Sequence, residues 1–242
     1  MEILENKKII SMSECDHNAK FSYPAFFNNF MDIATKHGDI MGVGSPDLAK
    51  LGLFWVITKN RIKFYRRPEM MGEYTVSTWP ITPEILRSVR FVSFEDTNGV
   101  FAEGKTEWIM LKKENFKPSK TTGVYPAHTT FCDKVILDEP WEKLTDDFSS
   151  FDKEVIYKVK SIDIDLNNHM NNANYIRTLF SCFTTKELDA LDIKEIEIHY
   201  KSQCYEGDEI SIRFKNTENG FNVGFINNQS VAVAIKVISN NF

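Results

Sequence analysis

Asp165, Asn167 and His169 recur at every second position in the run SIDIDLNNHMNNANYI, residues 161–176. In an extended segment alternate side chains point to one face. The spacing therefore predicts a carboxylate, a carboxamide and an imidazole projecting together. Such a set can accept a proton and donate a hydrogen bond, which is what base-assisted attack on a carbonyl needs. Asn171 and Asn172 follow, both good N-cap residues ahead of an apolar helical pattern. The backbone N–H groups of a helix start favour an oxygen anion. Asp163 falls on the same face as a second candidate carboxylate.

A scaffold must position these groups, and the chain reads as two copies of one plan. Phe27, Phe30, Met31 and Ala34 follow i, i+3, i+4, i+7 spacing, and Ile176, Leu179, Phe180 and Phe183 repeat it. Each set predicts one apolar helix stripe. Ser22 and Pro24 open the first helix; Asn171 and Asn172 open the second. The run IKFYRRPEMMGEYTV (62–76) resembles IHYKSQCYEGDEISI (198–212), with Tyr65, Pro68, Gly72 and Glu73 matching Tyr200, Gln203, Gly207 and Asp208. Strands are expected at roughly 73–81, 86–97 and 100–112, with Asn98-Gly99 at a hairpin turn. In the second half they are expected at roughly 208–216, 220–227 and 229–238, with turns at Asn219-Gly220 and Asn227-Asn228. Residues 113–153 hold Pro118, Pro126, Pro140 and a polar run from Lys143 to Asp152, and read as a surface linker. The expected class is α+β: an N-terminal unit over 1–112, the linker 113–153, and a C-terminal unit over 154–242. Each unit is a helix on an antiparallel sheet, and joining the two sheets into one continuous sheet would cover their edges.

Composition narrows the partners. With 42% hydrophobic and 26% charged residues, the 242-residue chain is an ordinary globular mixture. Its net charge of −5 argues against nucleic acid as the main partner. The 19 phenylalanines are read chiefly as core. No apolar run is long enough to insert in a membrane, and the first residues lack the apolar core of a signal peptide. Cys15, Cys132, Cys182 and Cys204 are far apart and show no metal-type pairing. Free thiols in a reducing cytoplasm are the expectation. Lys59, Arg61, Lys63, Arg66 and Arg67, in KNRIKFYRR, form either the solvated face of a strand or a dock for an acidic protein. His17, His37, His128 and His199 have no partners readable from the sequence, and Tyr175 is read as helix packing.

A helix wrapped by an antiparallel sheet, present twice, resembles the tandem hotdog arrangement. Asp165-Leu166-Asn167-Asn168-His169-Met170-Asn171-Asn172, followed by Tyr175-Ile176, resembles the signature of acyl–acyl carrier protein thioesterases of the plant and bacterial type. Trp55, Arg66-Arg67-Pro68 with Gly72-Glu73, Thr78-Trp79-Pro80 and Tyr200-Lys201-Ser202-Gln203-Cys204 match further segments in order. The resemblance implies a double hotdog fold and hydrolysis of fatty acyl–acyl carrier protein, with no cofactor or metal. It implies catalysis in the C-terminal half and an acyl tunnel mainly in the N-terminal half. Asp165, Asn167 and His169 fall on the family's catalytic Asp, Asn and His. Gln203 and Cys204 fall on the remaining catalytic positions, with Gln203 standing where many members have Glu. An amide cannot act as a general base, which puts a carboxylate-dependent step there in doubt.

A thiol of pKa ~8.5 leaves as thiolate with little assistance, so an activated water and an oxyanion donor suffice. The rival route uses Cys204 as nucleophile and His169 as base. Ile198, Tyr200, Ser202 and Cys204 share one strand face, while Glu197, His199 and Gln203 share the other. This puts Cys204 on the apolar side and favours the water route. Phe26, Phe27, Phe30 and Met31 are candidates for the acyl wall, joined by Trp55 and Trp79, for which ordinary core is an equal reading. Hydrolysis of acyl-coenzyme A and a non-catalytic lipid-binding role stay open as alternatives, as does pairing of the double unit into a homodimer.

Overall fold

The computed structural model describes residues 2–240. The chain forms two compact units, residues 1–139 and 140–242. In the first, β1 (Leu4–Ile9) precedes a long helix α1 (Tyr23–Ile40) and a short α2 (Ser45–Lys50). Strands β2 (Leu53–Phe64), β3 (Glu73–Pro80), β4 (Ser88–Asp96), β5 (Gly99–Lys112) and the short β6 (Pro118–Ser119) follow. In the second, β7 (Lys153–Lys158) precedes α3 (Asn172–Ser181) and α4 (Thr185–Ala190), then β8 (Ile193–Tyr200), β9 (Glu209–Thr217), β10 (Gly220–Asn227) and β11 (Ser230–Ser239). The strand order is β1-β3-β4-β5-β2 in one unit and β7-β9-β10-β11-β8 in the other, antiparallel throughout. The orders correspond strand for strand, so the duplication read from the sequence extends to topology.

Each helix forms because its apolar residues fall on one stripe and its start is marked. Pro24 sits in the first turn of α1, where a missing N–H costs nothing. Asn171 caps α3 by accepting the Ala173 N–H at 2.9 Å. Phe27, Phe30 and Ala34 are buried along α1, whereas Met31 lies at the margin of the stripe, half-buried. Helix α3 ends at Ser181, so Phe183 falls beyond it and packs on Phe214 and Phe221 instead. The first core is an aromatic cluster in which Phe26 touches Phe21, Phe64, Phe94 and Phe101 at centroid distances of 4.5–6.0 Å. Such pairs add about 0.5–1.5 kcal/mol each beyond the area they bury.

The stretch expected as a linker is divided between the units. Leu137 packs with Trp79 and Phe91 in the first. Leu144 and Phe148 are buried in the second, where Gly224 admits the Phe148 ring: a Cβ there would lie 2.5 Å from it. Asn228 and Gln229 turn the β10–β11 hairpin with φ of 47° and 66°, the backbone twist that two-residue hairpins prefer. Among the described residues no helix is long and apolar enough to cross a membrane.

Candidate active site

The segment carrying Asp165, Asn167 and His169 is a tight turn, not the extended run its alternation suggests. A short 3₁₀ turn, Ser161–Asp163, leads into it, and Ile164 bridges Met170. Between them the chain doubles back: Asp165 N–H donates to His169 O at 3.0 Å and Asn168 N–H to Asp165 O at 3.0 Å. Asn168 takes φ of 63°, a left-handed conformation that asparagine tolerates better than most residues. Asp165 and His169 are therefore the two arms of the turn, and Asp165 Oδ2 lies 3.7 Å from His169 Nδ1. Their side chains are 18% and 16% exposed, largely covered yet open to an approaching ligand.

Asn167 sits on the exposed tip, and its N–H donates to Asp165 Oδ1 at 2.7 Å. The structure thus brings two of the three groups together and leaves the Asn167 amide in solvent beside them. Asp163 is a structural carboxylate. It is buried and accepts from the Lys160 N–H at 2.9 Å and the Tyr157 hydroxyl at 2.7 Å. The start of α3 is partly spent on the chain itself, because Asn171 N–H donates to Asp163 O at 2.8 Å while Ala173 N–H is capped.

Gln203 and Cys204 reach this turn through the backbone, where Met170 N–H donates to Cys204 O at 2.8 Å. Strand β8 ends at Tyr200, and the expected division of faces does not continue past it: Ser202, expected beside Cys204, is exposed, and Glu197, expected beside Gln203, is buried. Cys204 is fully buried and Gln203 is exposed, accepting from the Tyr205 hydroxyl at 2.9 Å. Burial pushes the Cys204 thiol up, against the Tyr175 hydroxyl and the Asn227 amide that hydrogen-bond to it. Burial likewise pushes the Tyr175 phenol up, with the neighbouring thiol adding to the effect. Asn227 is anchored in turn on Asp208 Oδ2 at 2.7 Å. Tyr175 and Asn227, read from the sequence as helix packing and a turn, thus meet at the buried Cys204 thiol. Tyr175 still packs, on Tyr200 and Phe225; no local spacing marks its contact with the thiol.

The first unit contains the same turn with different side chains around its aspartate. Asp16 N–H donates to Lys20 O at 2.9 Å, Asn18 N–H to Asp16 Oδ1 at 2.9 Å, and Ala19 has φ of 56°. Phe21 N–H donates to Pro68 O at 2.8 Å, as Met170 does to Cys204. Here Arg67 pairs with the carboxylate. Burial works to raise the Asp16 carboxyl, but the Arg67 hydrogen bond and charge prevail and hold it below the usual range.

The first-unit candidates are placed as follows. Phe27, Phe30 and Trp79 are buried, and the Trp79 indole N–H donates to Lys134 O at 2.7 Å. Trp55 is half-buried and donates to Val43 O at 3.0 Å. The basic residues do not form an open cationic strip. Lys59 pairs with Glu107 at 3.3 Å, Lys63 with Glu139, Arg66 with Asp96 and Arg67 with Asp16. Arg61 is 2% exposed and donates to Glu139 O. These charges are committed to the unit's own carboxylates and carbonyls, most of them distant in sequence. Carboxylate oxygens of Glu142, Glu195 and Glu197 lie within 4.8 Å of one another, but Lys236 pairs with Glu142 and His199 with Glu197.

A helix on an antiparallel sheet, repeated with the same strand order, defines a tandem hotdog protein. The chain belongs to the acyl-ACP thioesterase family: residues 3–125 match its N-terminal domain and residues 148–240 its C-terminal domain. It is 24% identical over 227 residues to a palmitoyl-acyl carrier protein thioesterase of Gossypium hirsutum, covering 86% of this chain and 54% of that protein. It is 22% identical over 233 residues to oleoyl-acyl carrier protein thioesterase 2 of Arabidopsis thaliana, covering 89% and 64%. The chain thus spans between about half and two thirds of the length of these relatives. The fold is shared with an acyl-ACP thioesterase from Bacteroides thetaiotaomicron (TM-score 0.87, 23% identity, 98% of each chain). It is shared equally with a 12:0-ACP thioesterase from Umbellularia californica (TM-score 0.85, 16% identity, 99% of this chain and 98% of that one).

Proposed function

We propose that this chain hydrolyses fatty acyl–acyl carrier protein thioesters, releasing the free fatty acid. The observation that carries the reading is the Asp165–His169 pair, held at 3.7 Å within the stretch that matches the family's C-terminal domain. In the proposed reaction His169 takes a proton from water. The water oxygen bonds to the acyl carbon, and Asp165 stabilises the imidazolium as it forms. The exposed Asn167 amide donates to the oxyanion. The C–S bond then breaks, and the thiolate leaves or takes the proton from His169. Gln203 can orient the water through its amide but cannot remove the proton. Cys204 takes no part in bond formation, because its sulfur is enclosed and its thiol pushed up.

Acyl carrier protein is the proposed partner and a reducing cytoplasm the proposed location, the latter supported by four cysteines that stand free. The test is thiol release from matched carrier-protein and coenzyme A thioesters. A higher kcat/KM on the carrier protein, abolished by His169→Ala, is expected. Preference for coenzyme A would reassign the substrate. Binding of acyl thioesters without turnover would leave a lipid-binding protein.

A further inference from the structure

The inner face of the first unit carries a polar patch that the proposed chemistry does not use. The sheet register aligns Arg90 with Thr106 and Thr106 with Asn60, and one pair further on Ser88 with Trp108. Residues paired across antiparallel strands project to the same face. That face looks toward α1, since Arg90 Nη1 meets His37 Nδ1 at 2.9 Å and Phe94, further along β4, packs on Phe26.

Arg90 is 7% exposed. Its other partners are weak: Thr78 Oγ1 at 3.4 Å and the Met41 sulfur at 4.0 Å. Burial pushes its pKa down to about 10, opposed by Tyr125, which still leaves a cation at neutral pH. A buried cation calls for an acceptor, and the five N–H donors of a guanidinium are not used up by these contacts. Two further buried atoms on this face have no hydrogen-bond partner: Asn60 Oδ1, an acceptor, and Trp108 Nε1, a donor. Native interiors seldom leave such groups unmet.

Together they select one chemistry. A methylene chain satisfies none of them. A carboxylate answers Arg90 but has no hydrogen to offer the Asn60 oxygen, itself an acceptor. A hydroxyl both donates and accepts, so it can answer Asn60 and a donor at once. Trp55 and Trp108 stay half-exposed on this face, so the patch is not sealed at that end.

We propose that this patch is a subsite for a hydroxyl group carried on the acyl chain, Asn60 Oδ1 accepting from it and Arg90 or Trp108 Nε1 donating to it. The proposal rests on the hydrolase reading for its substrate class and adds a preference for hydroxylated chains. The test titrates the whole protein with a free saturated fatty acid and its mono-hydroxylated positional isomers, followed calorimetrically. The carrier-protein thioesters of the same acids are assayed in parallel.

One isomer is expected to bind at least ~10-fold tighter than the parent and to be hydrolysed with a correspondingly higher kcat/KM. Asn60→Leu, of similar volume, should abolish that preference while keeping the parent acid's affinity within about twofold, and Trp108→Phe should weaken it. No isomer surpassing the parent, or a preference that survives in both variants, overturns the subsite. So does a result in which both variants change only the unfolding temperature, which would mark a patch satisfied by water. Absence of thiol release from every thioester would sink the hydrolase reading alone, since the free-acid titration still decides the subsite.

Discussion

Lys20 occupies in the first unit the turn position that His169 occupies in the second. Each accepts, through its carbonyl, the N–H of the aspartate four residues before it, at 2.9 Å and 3.0 Å. Each follows a residue of positive φ, Ala19 and Asn168. The turn is thus part of how a hotdog unit leads its chain into the long helix. The two copies differ at the aspartate: His169, on the second arm, faces Asp165 in one, whereas Arg67 pairs with Asp16 in the other.

His169→Ala and Asp165→Ala are each expected to lower kcat by at least ~10²-fold, the usual worth of an acid–base group. Asp165 also holds the Asn167 N–H, so Asp165→Asn separates the roles. Its amide oxygen keeps the turn closed while the charge is lost, and activity should fall without a fall in unfolding temperature. Adding Lys20→His to His169→Ala should restore nothing, because Arg67 already pairs with Asp16. Thiol-release rates check all four, and equal rates in wild type and His169→Ala would remove the assignment.

Arg66 is expected to act on stability rather than docking. It donates to both oxygens of Asp96, Nη1 at 2.6 Å, and to Gly99 O at 2.8 Å, and lies over Phe101. The Arg66 hydrogen bonds hold the Asp96 carboxyl below its usual range. A depressed folded value gives stability that is complete above the unfolded pKa of ~3.9 and is lost as pH falls through the folded value. Asp96→Asn should therefore unfold in less urea at neutral pH, by about 1 kcal/mol. The gap should close in strong acid. Arg66→Ala should share the neutral-pH loss and leave KM for an acyl carrier protein thioester unchanged. A raised KM at unaltered stability would return Arg66 to a docking face.

How much of this was legible follows from where the signal is local. The strands expected at about 73–81 and 229–238 lie at Glu73–Pro80 and Ser230–Ser239, because alternation along a half-buried strand is written in consecutive residues. Strands β1 and β7 escaped. Each has a single sheet partner within its unit and carries charges, in LENKKI and KEVIYK, so little of either is buried. The 165–169 turn escaped for another reason. Period-two spacing also arises when a turn sets its two arms side by side, and Asn167-Asn168, which signals that turn, reads as part of an extended run when the alternation is taken alone. The ion pairs of the basic strand join residues as far apart as Lys63 and Glu139, which no local pattern records.

Phe27 and Phe30 are 1% and 0% exposed, so truncating them should be felt first in the core. Phe30→Ala is expected to cost about 3–5 kcal/mol, and any altered product length should come with a lower unfolding temperature. Met31, half-buried at the edge of the stripe, can be changed at a cost of about 1 kcal/mol. It is the better position for testing chain length, by acid profiles from Met31→Ala and Met31→Phe. A Phe30→Ala protein as stable as wild type would show that its ring faces open space.

Cys204→Ala should retain kcat within about threefold, since the proposed water route forms no bond to sulfur. It should still lose about 1–2 kcal/mol, because the Tyr175 hydroxyl and the Asn227 amide lose the group they meet. Serine alone would be ambiguous: it hydrogen-bonds as the thiol does and is a poor nucleophile in its place, so a slow Cys204→Ser enzyme fits either route. Alanine removes both functions and leaves only the water route standing. Alkylation gives an independent reading. The enclosed thiol, pushed up by burial, should resist iodoacetamide in the folded protein and react once urea unfolds it. Fast labelling of Cys204 in the native state, together with an inactive Cys204→Ala, would replace hydrolysis by water with an acyl-enzyme.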